Sequence, residues 1–136
     1  MNRAKDWYLQ GIRDIEAAEV SNEKGFCEWA CFMCQQGVEK ILKAIAQING
    51  MELWGHNLVH MLTLLKQKAA LDVPDELFEH ARKLDKLYIS PRYPNGVPEG
   101  TPSEYFSKKD GEDALLSAKA FVRWSDALGF GQGGSG

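Results

Sequence analysis

Between residues 26 and 48 the apolar side chains fall on several sides of a helical wheel rather than on one: Phe26, Trp29, Ala30, Phe32, Met33, Val38, Ile41, Leu42 and Ile45. A helix of that kind cannot lie at the edge of a domain, because water would face part of its apolar surface. It has to be surrounded, which predicts the central rod of a bundle. The Asn49-Gly50 pair that follows ends it where left-handed backbone is tolerated best.

The neighbours of that rod are legible as amphipathic stripes. Over about 3–21, Ala4, Trp7, Tyr8, Gly11, Ile15 and Ala18 recur at three- and four-residue spacings, with Arg13, Asp14, Glu16 and Glu19 between them. From near Asn57, a favoured N-cap, the stripe Leu58, Met61, Leu62, Leu65 and Ala69 marks a shorter third helix. Asp72-Val73-Pro74-Asp75-Glu76 predicts a fourth start, with a capping acid and proline in the first turn, and Leu77, Ala81, Leu84 and Tyr88 form its core face. A fifth helix is expected over roughly 108–128, with Ala114, Ala118, Phe121, Val122, Ser125 and Leu128 inward. No segment alternates with period two, so the fold class is all-α: a single up-and-down bundle of about five helices.

Pro91, Pro94, Pro98 and Pro102, with Gly96 and Gly100, predict one long loop without regular structure from about Ser90 to Ser107, before the last helix. A connection of that length in a compact domain points to function. Residues 1–128 are expected to form the domain, and 129–136 a flexible glycine-rich tail that does not pack.

Composition narrows the function classes. A chain of 136 residues is the size of one domain. A net charge of −3 excludes a broad basic surface for phosphate backbones, so nucleic-acid contact would need a local patch. The longest wholly apolar run, Trp29 to Cys34, is about six residues against the roughly twenty of a spanning helix, and no membrane contact is expected. The N-terminus Met1-Asn2-Arg3-Ala4-Lys5-Asp6 lacks an apolar stretch of signal type, and Cys27, Cys31 and Cys34 crowd one helix as an odd number. Both predict a cytoplasmic chain with reduced thiols. Phosphate-cradling glycine loops and a Gly-x-Ser-x-Gly elbow are absent from the sequence.

Four groups of residues could carry chemistry. Cys31-x-x-Cys34 has redox or zinc spacing, yet sits mid-helix among Phe32 and Met33, where packing is the better reading. His56 and His60 are four apart but lack the glutamate of a metalloprotease helix, so His56 is read as a loop anchor that could also touch a ligand, and no metal or cofactor is expected. Gln36, Lys40, Lys43 and Gln47, with Glu39 beside them, put polar groups on the most apolar helix, as a solvated edge or as the wall of a polar cleft. Arg92 stands between Pro91 and Pro94, which stiffen the backbone around it. A guanidinium presented in this way suits phosphate or carboxylate, and Tyr88 and Tyr93 beside it could stack on a base. The alternative for Arg92 is a structural pairing with Asp85 or with a helix C-terminus.

Trp7 with Arg13-Asp14-Ile15-Glu16-Ala17-Ala18, then Phe32-x-x-Gln35-Gln36-x-x-Glu39-Lys40-x-x-Lys43-Ala44, Gly55-His56-Asn57-Leu58, Leu84-Asp85-x-x-Tyr88-Ile89 and Arg92-Tyr93-Pro94, in that order, resemble prokaryotic HEPN-domain proteins over about 5–128. The resemblance implies a bundle of about five helices, a homodimer with a cleft near the interface, and pairing with a minimal nucleotidyltransferase in a two-component or toxin–antitoxin system. Many members are metal-independent ribonucleases with an Arg followed four to six residues later by a His. That motif is missing, since none of His56, His60 and His80 has an arginine at the required distance, and no catalytic residue is assigned. The expected function is a nucleotide- or RNA-binding partner protein. Its expected ligand residues are Lys40, Lys43, His56, Tyr88, Arg92 and Tyr93, supported by Gln36, Glu39 and Asp85. A ribonuclease toxin using Arg92 with His56 and a pure protein-interaction subunit are the alternatives.

Overall fold

The computed structural model describes residues 2–130, which form five α-helices: α1 Ala4–Glu23, α2 Cys27–Ile48, α3 Leu58–Lys68, α4 Asp75–Asp85 and α5 Lys108–Ala127. The expected all-α bundle is what the chain adopts, and α2 runs through it in contact with the other four helices. Val38, Ile41, Leu42 and Ile45 of α2 are almost fully buried, with Leu58, Met61, Leu62 and Leu65 of α3, Leu84 of α4 and Phe121 of α5 packed into the same core. None of the described helices is long and apolar enough to cross a membrane.

Helices α1 and α2 touch at backbone distance. A Cβ on Gly37 would lie 2.7 Å from Ile15 Cγ1 and 2.8 Å from the Gly11 carbonyl oxygen, and one on Gly11 would lie 2.7 Å from the Gly37 carbonyl oxygen. Two glycines facing each other allow this approach. Beside the crossing, Lys40 Nζ of α2 pairs with Asp14 Oδ2 of α1 at 2.7 Å.

Several local expectations are corrected. The first turn of α2 is not enclosed: Phe26 and Trp29 stay largely exposed. Helix α4 begins at Asp75, with Pro74 just outside it and no side-chain cap; the Asp72 carbonyl instead accepts the indole N–H of Trp124, a buried donor that needs a partner. It ends at Asp85 rather than Tyr88, and turns carry the chain from Lys86 to Arg92. The proline-rich connection contains two short 3-10 helices, Pro94–Gly96 and Pro102–Glu104, because proline fits the first position of a helical turn as readily as it breaks an interior one. Phe130, expected to lie in an unpacked tail, stacks on Tyr8 with ring centroids 4.7 Å apart; the rest of that tail, 131–136, falls outside the described residues.

Burial agrees with the packing reading of the cysteines: all three are buried and unpaired, and burial pushes the Cys31 thiol up to about 12 and that of Cys34 up as well. Such thiols are poor nucleophiles.

After α3, Ala70 adopts a left-handed backbone with φ 55°. An alanine there carries strain that glycine lacks, so Ala70→Gly is expected to raise stability by about 0.5–1 kcal/mol net of glycine's greater unfolded entropy. Urea denaturation measures this; a lower midpoint for the variant would show that no such strain is stored.

Candidate functional site

The polar residues of α2 do not share one environment. Glu39 is buried, and its carboxylate gathers three partners: His56 Nδ1 at 2.7 Å from Oε1, Gln36 Nε2 at 3.4 Å from Oε1, and Lys43 Nζ at 3.2 Å from Oε2. A buried carboxylate needs such donors. Since an ionised carboxylate only accepts, His56 donates to it from Nδ1. Gln35, fully buried, donates to the His56 carbonyl at 3.1 Å and accepts from Gln36 at 2.7 Å. His56 is therefore gripped by ring and backbone although it sits in a loop and its side chain is about half exposed at 49%.

The loop is fixed from a second direction. Asp85, at the end of α4, accepts the amides of Leu58 at 2.7 Å and Val59 at 3.2 Å, while Asn57 accepts that of His60 at 2.9 Å. Three orphan donors at the start of α3 are satisfied in this way. Burial pushes the Asp85 carboxyl up, and the two amide bonds oppose that push.

Just beyond Asp85, the turn presents the aromatic half of the site. His56 stacks on Tyr88 at 4.2 Å between ring centroids. The Arg92 guanidinium lies over Phe32 at 4.3 Å, Tyr88 at 4.5 Å and Tyr93 at 5.0 Å. Its Nε donates to the Tyr88 carbonyl at 2.7 Å, so part of the structural role foreseen for it, bonding near a helix C-terminus, is present. The pairing with Asp85 is not, because that carboxylate is engaged by α3. Pro91, fully buried, anchors the turn.

Lys43, His56, Tyr88, Arg92 and Tyr93 thus form one connected group around Glu39 and Gln36, and Lys40 stands apart on the α1 side with Asp14. Sequence reasoning misses Phe32, which reads as core, and Gln35, whose signal is an amide in the middle of an apolar helix.

Among solved structures, a protein of Thermus thermophilus matches with TM-score 0.88 at 35% identity, covering 93% of this chain and 98% of that one. An archaeal HEPN homologue matches with TM-score 0.78 at 34% identity over 94% and 98% of the two chains. A HEPN domain protein of Thermotoga maritima matches with TM-score 0.72 at 31% identity over 90% and 96%. No curated protein matches the sequence. The family model for the HEPN domain matches residues 4–128, so the chain belongs to the HEPN domain family.

Proposed function

We propose that this chain is a nucleotide- or RNA-binding partner protein, homodimeric and acting with a minimal nucleotidyltransferase in a two-component system of toxin–antitoxin type. The observation that supports the binding reading is the state of Arg92: three rings pack against its guanidinium and one carbonyl takes Nε, while no carboxylate lies within ion-pair distance among the described residues. Its two terminal nitrogens are the donors left for an anion, and a planar guanidinium offers phosphate a bidentate fit. Tyr93, about half exposed, supplies a surface on which a base can stack. The pairing with a nucleotidyltransferase and the dimer rest on family membership.

Titration of the full chain with ATP and with short RNAs tests the assignment. Arg92→Ala is expected to weaken binding about ten- to a hundredfold, the scale of losing a charged hydrogen-bonding group; unchanged affinity removes the site.

A second reading is favoured by one observation. The Glu39–His56 pair has the arrangement of an oriented base, with the half-exposed imidazole stacked on the Tyr88 ring that Arg92 also touches. In a ribonuclease, Nε2 would take the proton of a 2′-hydroxyl as its oxygen bonds to phosphorus and the bond to the 5′-oxygen breaks, the departing oxygen taking a proton from water, while Arg92 met the negative charge building on the phosphate oxygens. Incubation with transfer RNA in EDTA decides it: cleavage lost in His56→Ala supports the enzyme, and intact RNA at high protein concentration defeats it.

A further inference from the structure

Two residues before His56, Trp54 is 80% exposed, more than any other large apolar side chain of the described residues. Its neighbours hold the backbone: Leu53 is buried on one side, and Gly55 takes a left-handed turn on the other. Trp54 lines a cavity of about 180 Å³ together with Trp7, Lys43, Gln47, Glu52 and Leu53. Lys43 belongs to both places at once, since its ammonium is 3.2 Å from Glu39 Oε2 and 5.7 Å from the centre of the Trp7 ring. The cavity and the Glu39–His56 group therefore share a wall.

The chemistry of this cavity differs from that of the Arg92 end. Trp7 and Trp54 bring two indoles to the lining, and Gln47, Glu52 and Lys43 bring polar groups beside them, with the Gln47 oxygen accepting the Arg3 amide at 2.9 Å and the Lys43 ammonium over the Trp7 ring. Its volume is well below the roughly 300–1,000 Å³ of pockets that take a whole drug-sized molecule, which suits one planar ring system and not an intact nucleotide. Alpha carbons two residues apart are separated by at most about 7 Å, so the backbone of Trp54 adjoins that of His56, whose ring stacks on the Tyr88 that Arg92 packs against. A net charge of −3 disfavours a long duplex footprint, whereas stacking plus a few cations suffices for a short single strand.

We propose that Trp54 and Trp7 form a base-stacking subsite, so that the ligand is a single-stranded oligonucleotide of at least two nucleotides, with a phosphate at Arg92 and an adjoining base on the indoles beside Lys43. The proposal rests on the anion-binding reading of Arg92. It extends that reading from one phosphate to a strand with a direction across the surface, from the Arg92 turn over His56 to Trp54 in the loop between α2 and α3. Stacking accepts every base, so the subsite selects single strands over duplexes without selecting sequence.

Chemical-shift titration of the full chain with ribose 5-phosphate and with the 5′-phosphorylated dinucleotide pApA separates the two readings. Wild type is expected to bind pApA at least tenfold more tightly. Trp54→Ala, at an exposed position whose melting curve should match wild type, is expected to weaken pApA about five- to a hundredfold and to leave ribose 5-phosphate unchanged; Trp54→Phe should recover much of the loss. Undiminished pApA binding in Trp54→Ala overturns the subsite while leaving the Arg92 site in place. Failure of Arg92→Ala to weaken either probe, or absence of binding to wild type, overturns the anion site and the subsite with it. Were Trp54→Ala to keep its oligonucleotide affinity but lose co-purification with a nucleotidyltransferase, the indole would be a protein contact and the proposal wrong.

Discussion

Gly37→Ala is expected to lose about 2 kcal/mol of stability. The added methyl meets Ile15 Cγ1 at 2.7 Å and the Gly11 carbonyl oxygen at 2.8 Å. The isoleucine can rotate, but the carbonyl is part of α1, so the helices must separate along the seam. Overpacking of this kind costs about 1–3 kcal/mol, more when backbone has to move. Alanine's better helix propensity returns about 1 kcal/mol of that, which is why the net loss falls below the steric cost. Separation would also stretch the Lys40–Asp14 pair, now 2.7 Å long and mostly shielded from water. Gly11→Ala faces the same contact from the other side, so the double variant should lose less than the two single losses together, because the helices part only once. Urea denaturation with tryptophan fluorescence measures all three; a Gly37→Ala midpoint at or above wild type would show that the backbones are not in contact.

The second large effect is expected at Glu39. Glu39→Ala removes the one acceptor shared by His56, Lys43 and Gln36. Lys43 keeps only 17% of its side chain exposed, so its ammonium is left with little water and no counter-charge, while the half-exposed His56 can turn outward. Breaking a fully buried pair costs about 3–5 kcal/mol; with both partners partly wet, about 2 kcal/mol is the expected loss. Glu39→Gln keeps the volume and one acceptor oxygen, and should lose about half as much. A separate readout distinguishes orientation from stability. The His56 ring stacks on Tyr88, so the ring-current shifts of both side chains should collapse in Glu39→Ala under conditions where the protein remains folded. Wild-type stability with unmoved His56 and Tyr88 signals would mean that the carboxylate does not hold the histidine.

The bundle is legible in the sequence because its evidence is local. The stripes of Ile15 and Ala18, of Leu58 to Leu65, and of Ala114 to Phe121 need only the helical period and are buried at those positions, whereas Leu128, expected inward at the end of the fifth stripe, lies just past the end of α5 and is exposed. The site is legible in membership more than in arrangement. Lys40 and Lys43 sit on one polar stripe in the sequence, but three residues of helix leave them about 60° apart around the axis. That angle is enough for α1 to claim one and the His56 loop the other, and only the position of α1 decides it. The task of Asp85 is hidden for a similar reason: its partners, Leu58 and Val59, precede it by a whole helical hairpin, and no spacing rule links an acid at the end of one helix to the amides at the start of another. Phe32 reads as core because an aromatic on an apolar helix usually packs; that it floors the Arg92 guanidinium depends on where the turn after α4 returns.

The Asp85 clamp sets a mechanical condition on the whole arrangement. A single carboxylate fastens the first turn of α3, directly after His56, to the last residue of α4, directly before the segment bearing Tyr88 and Arg92. The histidine and the arginine come from separate stretches of chain, yet this fastening makes them one rigid unit, so a tug on either is transmitted to the other. Fraying at the head of α3 and dispersal of the anion-binding groups should then occur as one cooperative step, visible as a shared opening rate for the Leu58 and Val59 amides in hydrogen exchange.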